Sequence, residues 1–195
     1  MQRRDVLRLL TSAAVVSSLP LEMFQSLQQA RAEVGPTVGL RTLNAHQNET
    51  ITTISDLIIP ETGTLGAKGA KVNEFIDLLL TEWYDKPDTE RFLQGIADAD
   101  AASQKQFGKT FVQCTAVQQT QLMKGWDNEA MAYARTSKLA QKTKSAQPPA
   151  NFFYTVKRLT IVGYYTSEIG FLKELGASII PPKHAGCAPL SEARS

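Results

Sequence analysis

Val72-Asn73-Glu74-Phe75-Ile76-Asp77-Leu78-Leu79-Leu80-Thr81-Glu82-Trp83 is the stretch that decides the fold class. Val72, Phe75, Ile76, Leu79, Leu80 and Trp83 recur at steps of three and four, which lines them along one face of an amphipathic helix. On that face Trp83 is expected to pack in the core. The same period appears on both sides. Upstream, Ile51, Ile54 and Ile58, with Leu57 beside them, predict a helix over about 47–59 that Pro60 stops. The loop Glu61-Thr62-Gly63-Thr64-Leu65-Gly66-Ala67-Lys68-Gly69 then separates the two helices.

Downstream, Asp85-Lys86-Pro87-Asp88 breaks the helix, and Asp88 is placed to cap the next one. That helix carries Phe92, Leu93, Ile96 and Ala99 and fades near Ser103. Thr115 and Gln118 have the spacing of a capping box. They open a long helix with Leu122, Trp126, Ala130 and Tyr133 on one face. Residues 135–150 lose hydrophobicity and read as an exposed connection. Phe152, Phe153, Val156, Leu159 and Val162 restore the helical period. Gly163 is expected to interrupt it, and a last helix runs through Leu172 and Leu175 to Gly176. No stretch alternates as a strand does, and no β-α-β unit is visible. The expectation is an all-α bundle of about five or six helices with extended N- and C-terminal arms.

The first 32 residues read as an address. Arg3 and Arg4 stand together near the start, a short apolar stretch follows, and Ala30-Arg31-Ala32 supplies the small residues that a signal peptidase reads. Adjacent arginines indicate the twin-arginine variant, which moves folded cargo to the far side of a bacterial inner membrane. The apolar run is too short and polar for a membrane span, which needs roughly 20 apolar residues. Residues 1–32 are therefore expected to be a signal peptide and 33–195 one mature domain.

Removing Arg3, Arg4, Arg8 and Arg31, with Asp5 and Glu22, from 21 basic and 19 acidic side chains leaves 17 of each. A neutral mature chain gives no electrostatic ground for nucleic-acid binding. Cys114 and Cys187 are disulfide candidates in an oxidising compartment, either with each other or, for Cys187, with a partner chain. Paired together they would close a loop of roughly 70 residues, a stabilisation of about 4 kcal/mol. Two isolated cysteines exclude a c-type haem motif and an iron–sulfur cluster of this chain's own.

Evidence for an active site is thin. Gly63, Gly66 and Gly69 follow a helix rather than a strand and lack the dinucleotide-binding spacing. His46 and His184 lie at opposite ends of the mature chain in segments read as poorly structured, where a solvated histidine is the expectation. Asp98 and Asp100, two residues apart, do not share a helix face. What stands out is aromatic: Phe152-Phe153-Tyr154 and Tyr164-Tyr165 place five aromatics within 14 residues. Such clusters, with a proline-rich arm, suit permanent subunit contacts when they reach the surface and core packing when they do not.

Two blocks of sequence carry a resemblance. The first is Ile54-Ser55-Asp56-Leu57-Ile58-Ile59-Pro60-Glu61-Thr62, then Gly66-Ala67 and Val72-Asn73-Glu74-Phe75-Ile76-Asp77. The second is Phe152-Phe153, Leu159-Thr160, Gly163-Tyr164-Tyr165-Thr166-Ser167-Glu168-Ile169-Gly170 and the ending Pro181 to Gly186-Cys187-Ala188-Pro189. Together they resemble the gluconate 2-dehydrogenase subunit 3 family over nearly all of residues 43–190, with a departure at His184.

The resemblance implies the non-catalytic small subunit of a periplasmic dehydrogenase for sugars, sugar acids or polyols, associated with the inner membrane. It implies a large flavoprotein partner of the glucose-methanol-choline type that holds FAD, a possible cytochrome c subunit with haem c, and passage through the twin-arginine translocase. No cofactor is expected in this chain. Interface residues expected on this basis are Tyr164, Tyr165, Thr166, Ser167 and the arm with Pro181, Pro182 and Pro189. The alternative is a stand-alone periplasmic helical enzyme or small-ligand-binding protein, with a pocket around Glu168, Tyr164 and Tyr165.

Overall fold

In the computed structural model, which describes residues 39–178, the 72–83 stretch forms α2, Val72–Glu82. Val72, Phe75, Ile76, Leu79 and Leu80 are all buried, as their spacing requires. Trp83 departs from the expectation. It is the residue after the last helical one, its φ of −120° turns it off the apolar stripe, and it is 49% exposed.

The remaining helices are α1, Ala45–Ile58; α3, Lys86–Phe107; α4, Ala116–Thr143; and α5, Phe152–Tyr165. A 3₁₀ turn at Phe111–Gln113 and a π-helix at Ile169–Glu174 complete the described residues, which contain no strand. The protein is all-α. Among the described residues no helix is long and apolar enough to cross a membrane.

Local chemistry explains most helix ends. Asn44 and Gln47 form a reciprocal capping box at α1, and Thr115 and Gln118 form the expected one at α4. At α3 the cap is Asp85 rather than Asp88: the Asp85 carboxylate accepts the Asp88 N–H at 3.0 Å. Pro87 fits inside that first turn because its missing N–H has no helical partner there in any case. The helix continues past Ser103 to Phe107 and stops at Gly108, whose φ of 69° is the left-handed region that glycine enters without strain.

Two further boundaries differ from expectation. Helix α4 continues through 135–143, so the connection is only residues 144–150. Its Arg, Lys, Ala and Gln residues are good helix formers even without an apolar stripe, and Ala140 still faces inward. Gly163 does not interrupt α5, which runs on to Tyr165. A Cβ there would stand 2.7 Å from the Phe75 ring, so the glycine lets α2 approach α5 closely. The last helix is a π-helix. A Cβ on Gly170 would lie 2.1 Å from the Tyr164 carbonyl oxygen, so the chain can fold back there only with glycine.

Helix α5 is the centre of the bundle and packs against α1, α2, α3 and α4. Ile51, Ile54, Ile76, Ile96 and Val156 are almost fully enclosed. Each such side chain contributes about 1.5–3 kcal/mol of transfer free energy. A polar contact between α1 and α5, Ser55 Oγ with Thr160 Oγ1 at 3.1 Å, satisfies two buried hydroxyls. Trp126 packs as expected, with its ring centroid 5.4 Å from Phe111 and 6.0 Å from Phe153.

His46 is not in a loose segment. It sits in the first turn of α1, and its Nε2 lies 2.5 Å from Asp100 Oδ2 on α3. Asp100 Oδ1 in turn accepts the Phe111 N–H at 2.9 Å, so this carboxylate joins α1, α3 and the 3₁₀ turn. Cys114 is buried at the end of that turn and has no disulfide partner among the described residues. Arg3, Arg4, Ala30, Ala32, Pro181, Pro182, His184, Cys187 and Pro189 lie outside the described residues.

Candidate functional site

Four helices contribute to one cleft of about 510 Å³. The C-terminal end of α2 supplies Leu79, followed by Trp83 and Tyr84. The start of α3 supplies Asp88, Arg91 and Phe92, preceded by its cap Asp85. Tyr133 comes from α4, and Phe152, Tyr154, Thr155, Arg158, Leu159 and Val162 come from α5. The cleft exists because α2 and α3 meet at a tight turn whose cap pulls the chain around, while α5 passes beneath. Gly95 lets α5 come close: a Cβ there would be 2.4 Å from the Phe152 ring.

The apolar part of the wall is aromatic and ordered by ring contacts. Phe92 and Phe152 meet edge to face with centroids 5.4 Å apart, and Tyr133 and Tyr154 stand 5.2 Å apart. Trp83, half exposed, forms part of the lining and is an unusual residue to leave open to water.

The polar part is unevenly satisfied. Arg91 is paired with Asp88, and Asp85 is engaged in capping α3. Arg158, by contrast, makes no hydrogen bond or ion pair among the described residues, although it is near enough to Tyr84 to influence its ionisation. The Tyr84 hydroxyl likewise donates to no described residue. Burial raises the Tyr84 pKa above its ordinary value of 10.0; the Arg158 charge opposes that rise and the Asp88 charge adds to it. Tyr84 therefore stays a neutral donor beside an unpaired guanidinium. This is a combination suited to an oxygen acceptor, above all a carboxylate.

The residues expected at an interface from sequence take different places. Tyr164 is fully buried and donates its hydroxyl to the Leu65 carbonyl at 2.9 Å. Ser167 is buried too; its hydroxyl reaches the Tyr164 carbonyl at 2.5 Å and accepts the Gly170 N–H at 3.1 Å. These two side chains belong to the core and to the joint between α5 and the π-helix. Their local hydrogen bonds and large buried area outweigh what surface exposure would allow. Tyr165, edge to face against Tyr164 at 5.1 Å, and Thr166 are half-buried. Of the three residues named for an alternative pocket, the Tyr164 ring is enclosed, Tyr165 is half-buried and Glu168 is exposed.

Of the aromatic cluster at the start of α5, Phe153 is core while Phe152 and Tyr154 line the cleft. The sequence alone did not single out Tyr84 or Arg158, and it placed Tyr133 only on the apolar face of α4. The only signal was that Tyr84 follows Trp83 at the helix end, where a second large aromatic has no place on the apolar stripe. Among the described residues no three His, Cys, Asp or Glu side chains gather as a metal site.

A family model described as gluconate 2-dehydrogenase subunit 3 matches residues 45–182. No curated protein and no solved structure shows significant similarity to the chain.

Proposed function

The chain belongs to the gluconate 2-dehydrogenase subunit 3 family, and on that premise we propose that it is the non-catalytic small subunit of a periplasmic flavoprotein dehydrogenase for sugars, sugar acids or polyols. Its work is to bind the folded large subunit in the cytoplasm, carry it through the twin-arginine pathway and remain as a stabilising clamp. The observation that carries this reading is the family match across residues 45–182, which covers every helix of the bundle. The Arg3-Arg4 leader supports the escort role.

The physical logic is one of order. A flavoprotein has to enclose FAD before it leaves the cytoplasm, so its route has to accept folded cargo. A single signal serves two chains only if their interface forms before transit. That interface has to be of standard size or larger, on the order of 1,600 Å². A cytochrome c subunit would then receive the electrons at the inner membrane.

The test is a pull-down of the tagged precursor from its native host, read by mass spectrometry and visible absorbance. A yellow complex with a large flavoprotein is expected. Replacing Arg3 and Arg4 with lysine is expected to strand both chains in the cytoplasm. Continued export of the large subunit would sink the escort role, and a colourless chain recovered alone would sink the subunit role.

A further inference from the structure

We propose that the cleft between α2, α3 and α5 is the groove in which the large subunit seats an extended segment, with a carboxylate side chain on Arg158 and Tyr84 and an apolar side chain over Trp83. This rests on the subunit reading above and assigns its contact surface.

Charge complementarity selects the occupant. Arg41, Arg91 and Lys157 each have a carboxylate partner, in Glu82, Asp88 and Asp127. Arg158, on the same helix as Lys157, has none among the described residues, and its exposed side chain lines the cleft. The two acidic residues of the cleft are engaged: Asp88 with Arg91, and Asp85 at the positive end of α3. The cation left without a partner therefore faces an aromatic wall together with a phenol that has no acceptor. A guanidinium and a neutral phenol both donate, and a carboxylate accepts from both at once.

Composition favours a protein segment over a small solute. Trp, Tyr and Arg are the residues that dominate interface energetics, and here all three line one concavity with Trp83 half exposed. Covering the Trp83 indole removes apolar surface from water and dries the Arg158 contact beside it, which strengthens the ion pair. The turn from α2 into α3 that carries Trp83 and Tyr84 is fixed by the Asp85 cap, so little ordering cost attends binding.

A photo-crosslinking amino acid at position 83, in the full precursor expressed in its host, tests the assignment directly. The expected product joins this chain to a large-subunit peptide containing Asp or Glu. In parallel, pull-downs with Arg158→Glu and Trp83→Ala are expected to recover about tenfold less flavoprotein than the native chain, or lower still. Arg158→Lys, which keeps the charge, is expected to lose less. Both side chains are exposed, so far-ultraviolet circular dichroism should be unchanged.

If the native chain recovers the flavoprotein and Arg158→Glu and Trp83→Ala recover it equally well, the cleft assignment falls while the subunit reading stands. Crosslinks only to a second copy of this chain, or a small molecule retained in the cleft in native mass spectrometry, would also overturn it. If the native chain recovers no flavoprotein, the subunit reading falls and takes the cleft assignment with it.

Discussion

The Asp77 carboxylate accepts the backbone N–H of Leu43 at 2.7 Å, across 34 residues of sequence. The same carboxylate takes the N–H groups of Thr42 at 3.0 Å and Arg41 at 2.8 Å, and it is almost fully buried in doing so. Thr42 Oγ1 meets Thr81 Oγ1 at 2.7 Å, and Arg41 pairs with Glu82. The chain entering the bundle from its N-terminal side is thus lashed to one face of α2.

Replacing Asp77 with Ala is expected to cost about 1–3 kcal/mol, because three backbone donors lose their acceptor and one of them, the Leu43 N–H, is buried where water cannot replace it. Asp77→Asn, which retains one acceptor oxygen, should cost less. Urea unfolding of the mature chain measures both, and equal midpoints for Asp77→Ala and the native chain would refute the clamp.

Glycine substitutions in two helices are expected to have opposite signs. Gly95→Ala puts a Cβ 2.4 Å from the Phe152 ring and should destabilise by about 1–3 kcal/mol through overpacking. Gly125→Ala on α4 meets nothing within 4 Å and should stabilise by about 0.5–1 kcal/mol from helix propensity alone. Thermal unfolding of the two variants decides it.

Alkaline pH should weaken the fold through Tyr84. Burial raises its pKa in the folded state above the 10.0 of the unfolded chain, with Asp88 adding to the rise and Arg158 opposing it. The native state therefore holds this proton more tightly. The Tyr84 contribution is fully present below pH 10 and is lost as pH climbs through the folded pKa. Tyr84→Phe should be less sensitive to alkali than the native protein, and its phenolate absorbance should lose a component that titrates above pH 10.

Asp100→Ala removes the acceptor for the Phe111 N–H as well as the His46 contact, and should cost about 1–2 kcal/mol. His46→Ala loses only an exposed pair and should cost under about 1 kcal/mol. Denaturant titration separates them; equal losses would mean that the His46 contact, not the backbone bond, holds the 3₁₀ turn.

The residues of the chain determine by themselves that the fold is helical and roughly where each helix lies. Periodicity, capping pairs such as Thr115 with Gln118 and the stop at Pro60 act within one or two turns, so they are readable without the rest of the molecule. The α4 end and Gly163 were harder for a local reason too: a polar helix shows no stripe, and a glycine chosen for a close helix contact looks like a breaker. Only the tertiary structure decided that Tyr164 and Ser167 are core, that His46 meets Asp100 and that Asp77 gathers three N–H groups. It alone brings Trp83, Tyr84, Tyr133 and Arg158 to one cleft. Those facts depend on which helix faces meet across tens of residues, and helical period carries no record of the partner against which a face will pack.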